Sequence, residues 1–388
     1  MLNKKLFAIY LGSFIGPLNG NSILALIPLL KSSFDADIGQ VLLSIPFFMF
    51  PFAFLQLFSG TTSDIYDRKK TVITGFIIYS IGSFLCGLST SMHMFLLSRT
   101  VLGVGFALVG PVMVAILGDI TTKKNRGKAM GMLGASITAG IASGPLIAGA
   151  LAGIGWRYVF FVFGILALMV NLLFWESFRK HEFRGRGGTM GNILPQIKCA
   201  FLEKGVFIIS LLGFLLFFSF IGIVSFLSDA LSLPPISLKE YEVGFILSSS
   251  GIAGIIFSIF GGALVDRIGR VKTGKIGLVI AIVPFALLRF SNSFWDHLIL
   301  LFILGVGTAF VWASLLTISM EILPEMRGTV SSVFNSSRFS GYALSPIIFT
   351  PVYLKLGINA VYLSGVAISI IGILLLSQKR LKSDKELN

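Results

Sequence analysis

Two arginines sit inside span-length segments of this 388-residue chain, Arg99 in MFLLSRTVLGVGFALVG and Arg338 in SSVFNSSRFSGYALSP. A guanidinium near the middle of a membrane span costs about 2.5 kcal/mol or more, so such a residue as a rule faces a cavity and carries function. The planar donor fork of Arg338 suits a carboxylate or phosphate on a substrate. Alternatively, Arg338 bonds to helix carbonyls and to the polar run Asn335, Ser336, Ser337 and Ser340, and only organises the core. None of the seventeen acidic residues falls deep in a span; Asp229 comes closest. Asp64, Asp119 and Asp229 are the groups available to carry a proton, while Asn19, Asn21, Gln56 and Trp312 could line a path.

A second stretch, GMLGASITAGIASGPLIAG from Gly131 to Gly149, is uncharged yet holds five glycines and a proline in nineteen residues. In lipid, helices associate by close van der Waals packing, and small residues at helical spacing let backbones approach and slide. Gly140 and Gly144 share a face, with Gly131, Gly134 and Ala148 expected close to it. Pro145 removes the bond to residue 141 and permits a kink. The segment is either a smooth, bendable gating surface or a site of ordinary tight packing. A third group of residues is charged. Asp64 can face a helix N-terminus or pair with Arg68 and a neighbour, for which Asp119 is the natural choice and Glu321 its counterpart further on. A charged loop that only fixes topology is the alternative.

Other chemistry is excluded by what the chain lacks. His93, His181 and His297 are too scattered for a metal site, and Cys86 and Cys199 suggest neither a disulfide framework nor a metal. There is no His–acid cluster, nucleophile motif or nucleotide-binding loop, which argues against an enzyme and against direct ATP drive. No cofactor is implied.

The elements that must hold these residues are membrane helices. The chain is 55% hydrophobic and only 12% charged, where a soluble protein would be about one-quarter charged. Apolar runs near 20 residues recur along it. The pattern predicts an all-α membrane protein of twelve helices over 6–30, 38–59, 71–90, 94–118, 129–152, 157–176, 206–230, 243–262, 274–290, 297–319, 329–350 and 356–377. The N-terminal run is too long for a signal-peptide core and reads as a retained first span. Trp156, Trp175 and Trp295 fall at helix ends, as interfacial belts favour.

The net charge of +14 follows topology. Twenty-four Lys and Arg residues lie at the N-terminus, in alternate loops, in the central loop and in the C-terminal tail. The opposite loops hold only Lys31, Arg157, Lys239, Arg289 and Lys355. By the positive-inside rule both termini and the central loop are cytoplasmic. The basic excess is therefore no sign of nucleic-acid binding.

The halves repeat. GTTSDIYDRKK from Gly60 is echoed by GALVDRIGRVK from Gly262, and RGKAMGMLGASITAGIASGP from Arg126 aligns without gaps on RGTVSSVFNSSRFSGYALSP from Arg327. This implies a duplicated bundle, with a six-helix half over 1–178, a cytoplasmic loop over 179–205, a second half over 206–378 and a tail over 379–388.

On these residues the chain resembles the major facilitator superfamily, along essentially its whole length. Gly60, Asp64, Arg68 and Lys69 match the family's loop between spans two and three, with Asp67 in place of a glycine. Gly262, Asp266, Gly269 and Arg270 match its second copy. Arg99, Gly103 and Gly105 match the span-four motif. Gly131, Gly140, Gly144, Pro145 and Gly149 match the span-five antiporter signature, with Ala148 for one glycine; that signature resembles exporters of drugs and metabolites more than importers.

The resemblance implies alternating access, with spans one, four, seven and ten lining the cavity. It also implies a cytoplasmic latch formed by Gly60, Asp64, Arg68 and Asp119 with Gly262, Asp266 and Arg270, which holds the halves outward-open. Span five would pack against the other half when the cytoplasmic side closes, and Arg99 would take part in proton movement. The expected activity is proton-coupled efflux of small amphipathic compounds by a monomer in the plasma membrane. Its partners would be the solute, protons and lipid. Import or exchange of an organic anion is the alternative. The groups placed in coupling or binding are Arg99, Arg338, Asn19, Asn21, Asn335 and Asp229.

Overall fold

A computed structural model describes residues 2–65, 67–122, 125–181, 193–378 and 381, and describes side chains for all of these except 2, 59–65, 193, 324 and 327. The described chain is helical: α1 (Leu2–Phe34), α2 (Ile38–Leu42), α3 (Ser44–Ile65), α4 (Arg68–Leu88), α5 (Met92–Ile120), α6 (Arg126–Ala152), α7 (Trp156–Ser177), α8 (Ile193–Leu202), α9 (Lys204–Ser232), α10 (Glu240–Ile268), α11 (Arg270–Leu287), α12 (Phe294–Glu321), α13 (Arg327–Leu356) and α14 (Ile358–Leu376). It divides into two compact units, Met1–Leu194 and Pro195–Asn388.

Each predicted span has its helix, and two details differ from the sequence reading. The second span is broken after Leu42 into α2 and α3. Pro46 has no N–H for the Leu42 carbonyl, and its ring crowds the preceding turn. In the central connection, read as loop, residues 193–202 form the ten-residue helix α8. Among the described residues eleven helices are long and apolar enough to cross a membrane. The twelfth, α13, has the length at 30 residues, but Ser331, Ser332, Asn335, Ser336, Ser337, Arg338 and Ser340 make it the most polar of the set.

Within the first unit α1 packs on α6 and α7, α5 on α3 and α4, and α4 on α7. Within the second, α9 packs on α13 and α14, α12 on α10 and α11, and α11 on α14. The pairings match helix for helix, as the sequence repeat requires. Glycines set the seams. A Cβ at Gly103 would stand 2.2 Å from the Phe48 carbonyl oxygen, and one at Gly305 would stand 2.2 Å from that of Ser250. Gly140 on Phe14 and Gly341 on Phe214 show the same 2.2 Å approach. Backbone lies directly on backbone there, which is how helices cohere without a hydrophobic drive between them.

The turn before α4 answers what Asp67 does in place of the family glycine. Its side chain caps α4, accepting from the backbone N–H groups of Lys69 at 2.9 Å and Lys70 at 3.3 Å. At the equivalent position of the second half, Gly269 makes the same junction with φ +91°, a conformation that only glycine adopts without strain. One half therefore caps its helix with a side chain, and the other bends the backbone.

Candidate functional site

The two intramembrane arginines, alike in sequence, have different surroundings. Arg99 is fully buried. Its Nε donates to the Ser44 carbonyl at 3.1 Å, a terminal nitrogen donates to the Gly20 carbonyl at 3.4 Å, and the guanidinium lies 4.6 Å from the Phe48 ring centroid. Arg99 thus ties α5 to α1 and to the start of α3. Asn19 and Asn21, expected to line a path, are committed to the same packing. Asn19 is fully buried and donates to Ser83 Oγ at 2.9 Å; Ser83 in turn donates to the Phe160 carbonyl at 2.7 Å. Asn21 turns back on the Pro17 carbonyl at 2.9 Å, and Tyr79 Oη donates to Ile15 O at 2.8 Å. These bonds knit α1 to α4 and α7.

Arg338, midway along α13, is partly exposed. Its guanidinium carbon stands 4.1 Å from the Phe339 ring centroid, 4.4 Å from Trp312 and 4.7 Å from Phe217. Among the described residues no acceptor takes a hydrogen bond from it, and its Nε is buried without a partner. Ring faces offset the desolvation of a cation but leave the in-plane N–H donors unsatisfied. The alternative in which Arg338 bonds helix carbonyls and neighbouring polar side chains is not what is observed. Asn335 instead donates back to the Ser331 carbonyl at 2.9 Å. Phe217 on α9 and Trp312 on α12 supply the walls, with Trp312 also stacked on Phe334 at 5.9 Å. The arrangement is a cation flanked by three aromatic rings within unit two. Sequence reasoning named Arg338 and Trp312 but missed Phe217 and Phe339, which nothing distinguishes among thirty-seven phenylalanines.

Asp229 is 2% exposed near the end of α9, and its Oδ2 accepts from Tyr353 Oη on α13 at 2.9 Å. Tyr353, 124 residues away in sequence, carries no motif.

The charged loops form ion pairs inside each unit. Arg68 at the start of α4 pairs with Asp119 at the end of α5, and Arg270 at the start of α11 pairs with Glu321 at the end of α12. Both arginines are buried, at 7% and 9% exposure, so the pairs are shielded on the cationic side. Asp266 is exposed, and no atom stands within 4 Å of a Cβ at Gly262. The side chains at Gly60 and Asp64 lie outside the described residues. Nearby, Lys5 Nζ stands 3.2 Å from His181 Nδ1, and Lys69 donates to the Arg179 carbonyl at 3.1 Å.

The glycine-rich helix α6 runs unbroken through Pro145 and splits into two faces. Cβ atoms at Gly140 and Gly144 would meet the Phe14 and Leu18 carbonyl oxygens of α1 at 2.2 and 2.5 Å. Gly149 and Pro145 are buried too. Gly131 and Gly134, expected beside that face, look onto open space. Nine residues separate Gly131 from Gly140, about half a turn round an α-helix. The buried part of the signature therefore contacts a helix of its own half.

Comparison with known proteins places the chain's family and fold. The family model described as Major Facilitator Superfamily matches residues 9–346 and 206–387. Quinolone resistance protein NorA of Staphylococcus aureus (strain Mu50 / ATCC 700699) is 21% identical over 385 residues, covering 95% of this chain and 97% of that one. The uncharacterized MFS-type transporter YwfA of Bacillus subtilis (strain 168) is 26% identical over 391 residues, covering 95% and 90%. A crystal structure of a bacterial homolog of the human lysosomal transporter Spinster, inward-facing and occupied, shares the fold with a TM-score of 0.75 at 19% identity, covering 96% and 94%. The chain belongs to the Major Facilitator Superfamily and is a multi-pass membrane transporter, not an enzyme.

Proposed function

We propose that the chain is a proton-coupled exporter of small amphipathic compounds, working by alternating access in the plasma membrane as a monomer with both termini cytoplasmic. The observation that carries this reading is the Arg338 cluster: three aromatic faces that suit an apolar body and a guanidinium Nε without a protein partner for one hydrogen-bond-accepting group, inside a span. Likeness to a protein named for quinolone resistance and the antiporter-type helix α6 support export, and the distribution of Lys and Arg supports the orientation. Import or exchange of an organic anion is the second reading, favoured by the same unsatisfied donors on Arg338.

The test is the flux of protons against solute in inside-out vesicles carrying a pH-sensitive dye. Export by antiport predicts that an amphipathic toxicant dissipates an imposed acid interior, and that Arg338→Ala weakens the apparent affinity while the protein still inserts. Dissipation by simple carboxylates but by no neutral or cationic amphiphile would replace the first reading with the second. An unchanged affinity for every transported compound in Arg338→Ala would remove Arg338 from both.

A further inference from the structure

At the end of the second unit opposite Arg270 and Glu321, a cavity of about 520 Å³ opens among the ends of α9 and α13 and the starts of α12 and α14. Its walls are mainly Leu, Ile and Pro side chains, interrupted by Tyr353, Tyr362, His297, Arg289 and Asn359. Tyr353 faces two ways. Its ring lines the cavity and lies tilted against Phe226 with centroids 4.7 Å apart, while its hydroxyl donates to the buried Oδ2 of Asp229. By the charge distribution of the loops this is the outer end of the unit. The cavity is many times the roughly 30 Å³ that one water occupies in the liquid.

We propose that this cavity is the outer proton port of the transporter, with Asp229 as the protonated carboxylate and the Tyr353 hydroxyl as the relay that reaches it. The inference rests on the proton-coupled reading above and gives it a site. A proton carried by cavity water adds to a lone pair of Tyr353 Oη as the phenol passes its own proton to Asp229 Oδ2. The hydroxyl then rotates back, and the net change is one proton moved from water to carboxylate, with no redox step. The 2% exposure of Asp229 leaves little direct access for water, which is why a relay is needed.

The charged and titratable groups around it are few. α13 contributes Tyr353, α14 Tyr362, α12 His297 and the connection before α12 Arg289. α10 carries Glu240 and Glu242 in its first turn, with Lys239 just before it. His297 is 2% exposed, with Nδ1 already bonded to the Ser293 carbonyl at 2.8 Å. That leaves Asp229 as the acid that the tyrosine contacts.

The experiment follows the proton itself and needs no substrate. Time-resolved infrared spectroscopy of the full chain in lipid, with bulk pH stepped from about 8 to about 4 across the ordinary carboxylate and histidine range, should show a carboxyl band that is missing in Asp229→Asn. Tyr353→Phe keeps the ring and its packing; the same final band should grow about 10²-fold more slowly, the low end of what a positioned proton-transfer group contributes. Asn359→Cys in a Cys199→Ser background, closed with a bulky impermeant thiosulfonate, should slow it likewise. An equal rate in Tyr353→Phe removes the relay, an unaffected rate in the blocked cavity removes the port, and a band that survives Asp229→Asn removes both. If the band behaves as expected but the wild type shows no proton-driven flux in the vesicle assay, the efflux reading fails and the port stands.

Discussion

Adding one methyl group at Gly140 tests whether the antiporter-type glycines serve the packing of their own half. The Cβ of Gly140→Ala would stand 2.2 Å from the Phe14 carbonyl oxygen, which belongs to helix backbone and cannot swing aside. Restoring an ordinary contact of 3.4 Å moves α6 about 1.2 Å away from α1, and a gap of even 0.5–1 Å forfeits about a quarter to a half of each dispersion well along the seam. Overpacking of this kind costs about 1–3 kcal/mol. Gly131→Ala is the internal control. It lies on the same helix with the same gain of up to about 1 kcal/mol in helix propensity, but nothing lies within 4 Å of its Cβ. The difference between the two variants therefore isolates the steric term. Cys86 is buried in α4 of the same unit and Cys199 is exposed, so a thiol-reactive fluorophore in a Cys199→Ser background reports when the unit opens on heating. Gly140→Ala should melt lower than Gly131→Ala by about 2–4 °C per kcal/mol. Equal melting temperatures would refute the claim that backbone contact with α1 constrains this helix.

Two further outcomes are expected. Arg99→Ala should destabilise the first unit by about 2–5 kcal/mol, as expected for emptying a fully buried large side chain, whereas Arg338→Ala should leave the melting temperature of the second unit nearly unchanged when the buried Ser314→Cys thiol, in a background with Cys86→Ser and Cys199→Ser, reports its opening; equal losses would erase the distinction between the two arginines. His181 is held below its ordinary value by burial and then by the neighbouring Lys5, so the folded state resists its protonation. The associated stability is complete above about pH 6.5 and is lost as pH falls below it, because the unfolded chain takes the proton first; His181→Gln should flatten the fall in melting temperature between about pH 7.5 and pH 5.5, and parallel curves for the two proteins would contradict this.

The helices were legible because an apolar run of span length is a local property, and the duplication because Gly60 and Gly262 begin matching phrases. The small helix at 193–202 was not, since it occupies a connection read only for its charge. The misplaced Gly131 could have been caught by counting residues around the helix. What no local pattern contained was the difference between Arg99 and Arg338. It depends on what other helices bring to each guanidinium: the Ser44 and Gly20 carbonyls in one case, the Phe217 and Trp312 rings in the other. The Asp229–Tyr353 bond was hidden for the same reason, because its partners meet only after α9 and α13 pack along their length.

Where Gly140 meets Phe14 and Gly341 meets Phe214, no side chain stands between the two backbones. A surfactant tail has no crevice to enter at such a place, and the cohesion there does not draw on water release. Solubilisation should therefore strip the other contacts of each half first and leave α1 with α6 and α9 with α13, like α3 with α5 and α10 with α12, as welded pairs. Those pairs are the last pieces of the architecture that a harsh extraction would separate.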